Sequence, residues 1–365
     1  MAVTSRLHAP RFSRTPHLVD LIAEAERLAA AVAACPEDAR WDVPDLTAEA
    51  ILASLALDGS PLGTAPDLGP ANAVPPTTPA GPPQPDAGSA GAEGSWFEAM
   101  RTFDDLSDEH VQALEFAGVA AALASDDLAE ELFTAPVTAL TELHRRLVRG
   151  LVAPEHAGRL RTTEQAVHDA SVGRIIHLTT PPERIAGELD LVAAWLGTTG
   201  AREHGLITSG VLHLELLRIH PFEAANGRLA RAAARLVLRS RGLDPWGVAA
   251  PEPILAADPL GYHEEVASTL RRRDLSIWLE RWGDAVTAGL RRAARRLGAL
   301  DDEVPGRATA FVAAASDPGF TVTDYRAAVG VGTEASRHDL RALLDAGRIA
   351  RVPGSRGLRF TIRGD

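Results

Sequence analysis

The stretch VLHLELLRIHPFEAANGRLARAAARLVLRSRG, residues 211–242, decides the fold. Val211 to Ile219 is apolar enough for a core helix, and it stops at His220 because a residue before proline is pushed out of helical conformation. Leu229 to Arg241 forms a second helix, closed by Gly242. His220 therefore opens a loop, and Asn226-Gly227-Arg228 begins the helix that follows it. The first amides of a helix lack internal partners and sit at its positive end, so this junction favours anions. Gly227 allows close approach to the backbone, Asn226 offers a side-chain donor, and Arg228 and Arg231 lie one turn apart on one face. His220 can take a proton from a hydroxyl at neutral pH. Together these groups suit a polyphosphate and a hydroxyl nucleophile.

Outward from this stretch, the 365 residues allow two or three domains. Ala, Leu and Arg dominate while aromatics make up only 5%, a balance that favours helices. The formal net charge of -12 argues against a surface made for nucleic acid or anionic membrane as a whole. A single cysteine, Cys35, excludes an internal disulfide and any zinc site built on several cysteines. Val19 to Cys35 is broken by Asp20, Glu24, Glu26 and Arg27, so it reads as an amphipathic helix, not a membrane span. No export signal is visible, and a cytoplasmic location is expected.

Composition divides the chain into four stretches. Residues 1–59 hold a helical region, with one helix around Leu18 to Leu28 and a second from about Thr47, read as its N-cap, to Leu57. Residues 60–95 contain nine prolines and six glycines with few large apolar residues, the composition of a linker. Residues 96–300 are helical almost throughout, except for Ile175 to Leu178, which is β-branched, closed by Pro181-Pro182, and reads as a short strand or hairpin. Trp278 and Trp282 are expected in the core, as is His213, whereas Arg235 and Arg239 are expected on a solvated face. Residues 305–365 read as three helices, a strand, a turn at 353–357 and a second strand, the layout of a winged helix.

The run from His220 to Arg231 resembles the core motif of the Fic family, His-Pro-Phe-x-(Asp/Glu)-Gly-Asn-Gly-Arg-x-x-Arg. His220, Pro221, Phe222, Asn226, Gly227, Arg228 and Arg231 match it. The resemblance implies a mainly α fold: a Fic-type helical bundle with a short β-hairpin flap, here followed by a C-terminal winged helix-turn-helix. It also implies ATP as substrate, His220 as catalytic base, and Asn226, Gly227, Arg228 and Arg231 as ATP-binding residues. Tyr262 is similar to a family position near the adenine pocket. Ser54-Leu55-Ala56-Leu57-Asp58-Gly59 resembles the family's inhibitory helix, Ser/Thr-x-x-x-Glu-Gly, which implies that Asp58 pairs with Arg231. Ser54 and Gly59 complete that motif.

Two positions depart from the pattern. Ala224 stands where the family has its metal-holding acid, and Ala225 where it has a glycine. A methyl group cannot coordinate Mg²⁺, and Glu223, one residue away, is expected to point elsewhere. Ala225 is expected to strain a loop that needs a positive φ. Two function classes follow. One is transfer of AMP from ATP to a hydroxyl of a target protein, restrained by residues 54–59. The other is a nucleotide-binding regulator acting through residues 305–365, where nine arginines face six acidic residues and a DNA partner is an expectation.

Overall fold

The computed structural model describes residues 10–66, 106–169, 174–272, 274–300, 304–315, 319–346, 348–352 and 359–362. Most of the proline-rich stretch, the start of the core at Trp96 and the turn at 353–357 lie outside them. The chain separates into two compact units, Met1–Ala293 and Ala294–Asp365.

The first unit is built around two consecutive helices, α6 (Gly205–Ile219) and α7 (Asn226–Ser240). In both, nearly every side chain is buried, including the arginines that line one face of α7. Around them, in chain order, lie α1 (Pro16–Ala33), α2 (Val43–Leu57), α3 (Asp108–Leu123), α4 (Pro136–Leu147), α5 (Ile185–Trp195), α8 (Pro259–Arg272) and α9 (Ser276–Arg296). A two-stranded antiparallel sheet, β1 (Ala166–Asp169) with β2 (Arg174–Leu178), precedes α5. Ala166 pairs with Leu178 and Val167 with His177, and the register slips after Val167. Ile175 and Leu178 are exposed on this hairpin.

The tryptophans of α9 key it onto α6. Trp278 Nε1 donates to the Gly210 carbonyl at 2.8 Å, and Trp282 Nε1 donates to Ser209 Oγ at 2.8 Å. A Cβ on Gly210 would meet Trp282 at 2.9 Å, so only glycine admits the indoles this close to the backbone. Both indoles and His213 are fully buried, as their sequence reading required.

Two sequence expectations need correction. The second helix starts at Val43, not Thr47: Pro44 falls in its first turn, where the missing N–H costs nothing, and Thr47 Oγ1 bonds back to the Val43 carbonyl at 2.9 Å. Arg235 is not solvated. It is 1% exposed and donates to Asp244 at 2.7 Å, to Glu252 at 3.0 Å and to the Gly247 carbonyl at 2.6 Å. Arg239 reaches the Leu123 carbonyl at 2.7 Å and Asp126 at 2.6 Å. Along this stripe Arg228, Arg231 and Arg235 are buried, whereas Arg239 at its end stays partly exposed beside the exposed Asp126.

The second unit has its own core of Phe320, Tyr325, Leu340, Leu343, Ile349 and Phe360. Its order is α10 (Gly306–Ala314), β3 (Gly319–Thr321), α11 (Val322–Val329), α12 (Thr333–Asp345), β4 (Ile349–Arg351) and β5 (Arg359–Ile362), with sheet order β3-β5-β4. The strand β3 was not anticipated. It is three residues long, with only Phe320 buried, too short for a period-two signal. Asp339, fully buried on α12, accepts from Arg307 at 2.7 and 2.8 Å and from the Tyr325 hydroxyl at 2.7 Å.

Replacing Arg235 with alanine leaves the carboxylates of Asp244 and Glu252 buried without their cation. We expect Arg235→Ala to destabilise the first unit by about 3–5 kcal/mol in urea unfolding. A loss below about 1 kcal/mol would mean that these acids find other partners.

Candidate active site

The reversal between α6 and α7 places every motif residue. His220 caps α6 in the left-handed region, φ 53 and ψ 60, and its amide still donates to the Leu216 carbonyl at 2.8 Å. Ala225, at φ 55, caps the start of α7. A non-glycine residue there costs about 1–2 kcal/mol, so the positive φ expected at this position is adopted despite the methyl group.

Each carbonyl through the turn is taken by a donor from the protein. Arg161 is 2% exposed. Its Nε donates to the His220 carbonyl at 2.6 Å and its Nη2 to the Ile219 carbonyl at 3.2 Å. The same guanidinium bonds Thr179 Oγ1 at 3.0 Å and the Thr180 carbonyl, which ties the base of the hairpin to the turn. The Arg161 amide donates to the Pro221 carbonyl at 3.0 Å. Asn226 staples Phe222 at both ends, accepting from its amide at 3.0 Å and donating to its carbonyl at 2.8 Å. Gln165 donates to the Glu223 carbonyl at 2.9 Å, and His144 Nε2 lies 3.2 Å from the Ala224 carbonyl. With the carbonyls held inward, the first amides of α7 face the other way, as an anion site requires.

A carboxylate already lies in that site. Asp58, at the end of α2, accepts from Arg231 Nη2 at 2.8 Å and stands 3.3 Å from Arg228 Nε. Arg231 also donates to Ser54 Oγ and to the Ser54 carbonyl, each at 2.8 Å. A Cβ on Gly227 would meet Asp58 Oδ1 at 2.6 Å, so the glycine is what lets a carboxylate rest against the start of α7. Gly59, at φ 85, ends α2 directly behind Asp58. Glu115 on α3 adds a second acid, 3.2 Å from Arg228 Nη1. Burial pushes its carboxyl up, against the pull of Arg228.

His220 is held neutral. Burial, with His177 next in effect, lowers its imidazole to about 4, and Nδ1 has no hydrogen-bond partner. Tyr262 lies behind Arg231, fully buried, with its hydroxyl 2.7 Å from His213 Nε2. Burial pushes its phenol up to about 12. In this arrangement Tyr262 presents no open face to a ligand.

The donor set does not fit Mg²⁺. Ala224 is buried and offers only its carbonyl, which faces His144. Glu223 turns to the opposite side, accepting from the Thr162 amide at 3.1 Å, Thr163 Oγ1 at 2.7 Å and Gln165 Nε2 at 3.1 Å. Among the described residues, no three His, Cys, Asp or Glu side chains group as metal ligands. No helix there is long and apolar enough to cross a membrane. Sequence reasoning missed Arg161, His144 and Glu115, none of which lies within the motif.

Ala225→Gly should raise stability by about 1 kcal/mol in urea unfolding, by removing the left-handed penalty. No gain would mean that the methyl group is compensated locally. His144 and His220 are lowered to about 4, and His177, His204 and His213 are lowered too, burial being the first cause in all five. Unfolded histidines take up protons near pH 6.5, and these folded ones do so only further down. Their contribution is therefore complete above about pH 6.5 and is lost as pH falls towards 4. Glu115 and Glu252, whose carboxyls burial pushes up, oppose this trend. Urea midpoints should fall between pH 7 and pH 5, and a flat profile would contradict the assignment.

Residues 134–238 match the family model described as the Fic/DOC family. The protein adenylyltransferase fic-1 of Caenorhabditis elegans is 32% identical over 107 residues, 29% of this chain and 20% of that protein. The protein adenylyltransferase Fic of Nematostella vectensis is 31% identical over 107 residues, 29% of this chain and 23% of its own length. The chain thus spans about a fifth of the curated relatives it matches. A crystal structure of a Fic family protein from Desulfovibrio desulfuricans superposes with a TM-score of 0.56 at 21% identity, covering 98% of this chain and 99% of that one. A segment of C. elegans Fic-1 gives 0.51 at 19% identity, over 77% and 73%. At these identities the superpositions establish the fold, a helical bundle with a small β flap. The chain carries a Fic/DOC family domain, with the turn from His220 to Arg231 inside it.

Proposed function

We propose that this chain transfers AMP from ATP to a hydroxyl side chain of a protein target, and that α2 restrains the reaction. The observation that carries the proposal is the Asp58 carboxylate lying against Gly227 between Arg228 and Arg231, an anion where the turn is built to hold one. In the reaction, ATP takes the place of that carboxylate, with its outer phosphates on Arg228 and Arg231 and its α-phosphate on the amides around Gly227. His220 accepts the proton of the target hydroxyl. The hydroxyl oxygen bonds the α-phosphorus, the bond to the bridging oxygen breaks, and pyrophosphate leaves. A nearby polyphosphate would also raise the basicity of His220 through its negative charge. Relatives named protein adenylyltransferase support the choice of AMP.

The exposed strand residues Ile175 and Leu178 suit a target segment laid along the hairpin edge. We read the second unit as a winged helix, a contact module whose α12 carries exposed Arg337 and Arg341. DNA phosphates are one partner such arginines fit. We place the reaction in the cytoplasm.

The test is incorporation of label from ATP labelled at the α-phosphate, in the full chain and its variants. Asp58→Ala should raise labelling by about tenfold or more, since ATP no longer competes with an internal anion. His220→Ala in that background should lower it by about 10²–10⁴. Ala224→Glu, which restores the family's acid, should raise it when Mg²⁺ is supplied. Labelling that is the same with and without His220 would contradict the proposal.

A further inference from the structure

His144 is a buried titratable group that touches the turn and that the reaction above leaves without a task. It lies on α4 and is 3% exposed. Its ring stacks on Phe222, with centroids 3.9 Å apart and planes within 15°. The Gly158 amide donates to its Nδ1 at 2.9 Å. A backbone amide can only donate, so Nδ1 is unprotonated and the proton of the neutral ring sits on Nε2. Nε2 therefore donates to the Ala224 carbonyl at 3.2 Å, and the tautomer is fixed by geometry.

That carbonyl belongs to the peptide joining Ala224 to Ala225, the residue held at φ 55. Rotating the peptide would release the left-handed strain at Ala225 and swing its carbonyl towards the face where the α7 amides point. A carbonyl oxygen there repels phosphate. Strained backbone persists only where its surroundings hold it, and His144 is the side chain bonded to this carbonyl. Asn226 and Arg161 hold the earlier carbonyls of the turn but do not touch this one.

We propose that His144 is a positioning residue for nucleotide transfer: its Nε2–H, fixed by the Gly158 amide, holds the Ala224 carbonyl inward and so keeps the start of α7 receptive to phosphate. Ala225 makes the dependence sharper, because a glycine would hold the left-handed turn without help. The proposal rests on the anion-site reading of the preceding subsection.

The experiment uses the full chain carrying Asp58→Ala, titrated with inorganic triphosphate in the absence of metal, alone and combined with His144→Phe or His144→Gln. Phenylalanine keeps the stack on Phe222 and removes both hydrogen bonds, whereas glutamine can accept from Gly158 and donate to Ala224. We expect His144→Phe to weaken triphosphate by about thirtyfold, the equivalent of one buried carbonyl left unsatisfied. His144→Gln should recover most of that loss, and Ala225→Gly should recover part of it in the His144→Phe chain. A merely structural role would lower the unfolding midpoint of His144→Phe and leave its triphosphate affinity unchanged. Nitrogen-15 spectra of the histidines should show His144 as the neutral Nε2–H form at pH 7. Unchanged affinity in His144→Phe, or an Nδ1–H or charged His144, overturns the proposal while leaving the anion site intact. If the Asp58→Ala chain binds no triphosphate at all, the anion-site reading falls and this proposal falls with it.

Discussion

The chain passes from one fully buried helix to the next through a short turn, and every carbonyl in that turn must find a donor away from water. Ile219 and His220 use Arg161, Phe222 uses Asn226, Glu223 uses Gln165 and Ala224 uses His144. An unsatisfied buried carbonyl costs about 1–3 kcal/mol, so these bonds specify the turn instead of decorating it. Their common result is directional. With the oxygens facing the protein, the amides at the start of α7 are left for an anion, the orientation on which the proposed transfer depends.

The second constraint is charge. Arg228 and Arg231 are nearly fully buried, and buried cations need counter-charge. Asp58 and Glu115 supply it from α2 and α3, so the helices that carry these acids are held by the site they neutralise. Polyphosphate offers the same arginines more negative charge than a carboxylate does. In the proposed function, restraint by α2 is a competition between an internal anion and an incoming one.

How much of this was legible in the sequence depended on where the partner residues lie. The helix–loop–helix around His220, the core tryptophans and the hairpin near Ile175 all declare themselves locally, through apolar runs, Pro221 and the paired prolines. The approach of Asp58 to Arg231 was visible only through family resemblance, because 173 residues separate them. His144 and Arg161 left no trace. Each bonds backbone carbonyls, which carry no residue identity, 80 and 59 positions away. Arg235 misled because its helical spacing matches a surface stripe, whereas the acids that bury it come from the segment after α7. The short strand β3 fell below the length at which alternation can be read.

The proposed function puts Asp58 in the place of a nucleotide phosphate. Its most direct test is calorimetric titration of ATP, without metal, into the unaltered chain and into Asp58→Asn, which keeps the shape and removes the charge. Affinity should rise by about tenfold or more on removing the carboxylate charge. Equal or weaker binding by Asp58→Asn would mean that ATP and Asp58 do not compete for Arg228, Arg231 and the start of α7, which contradicts the proposed restraint.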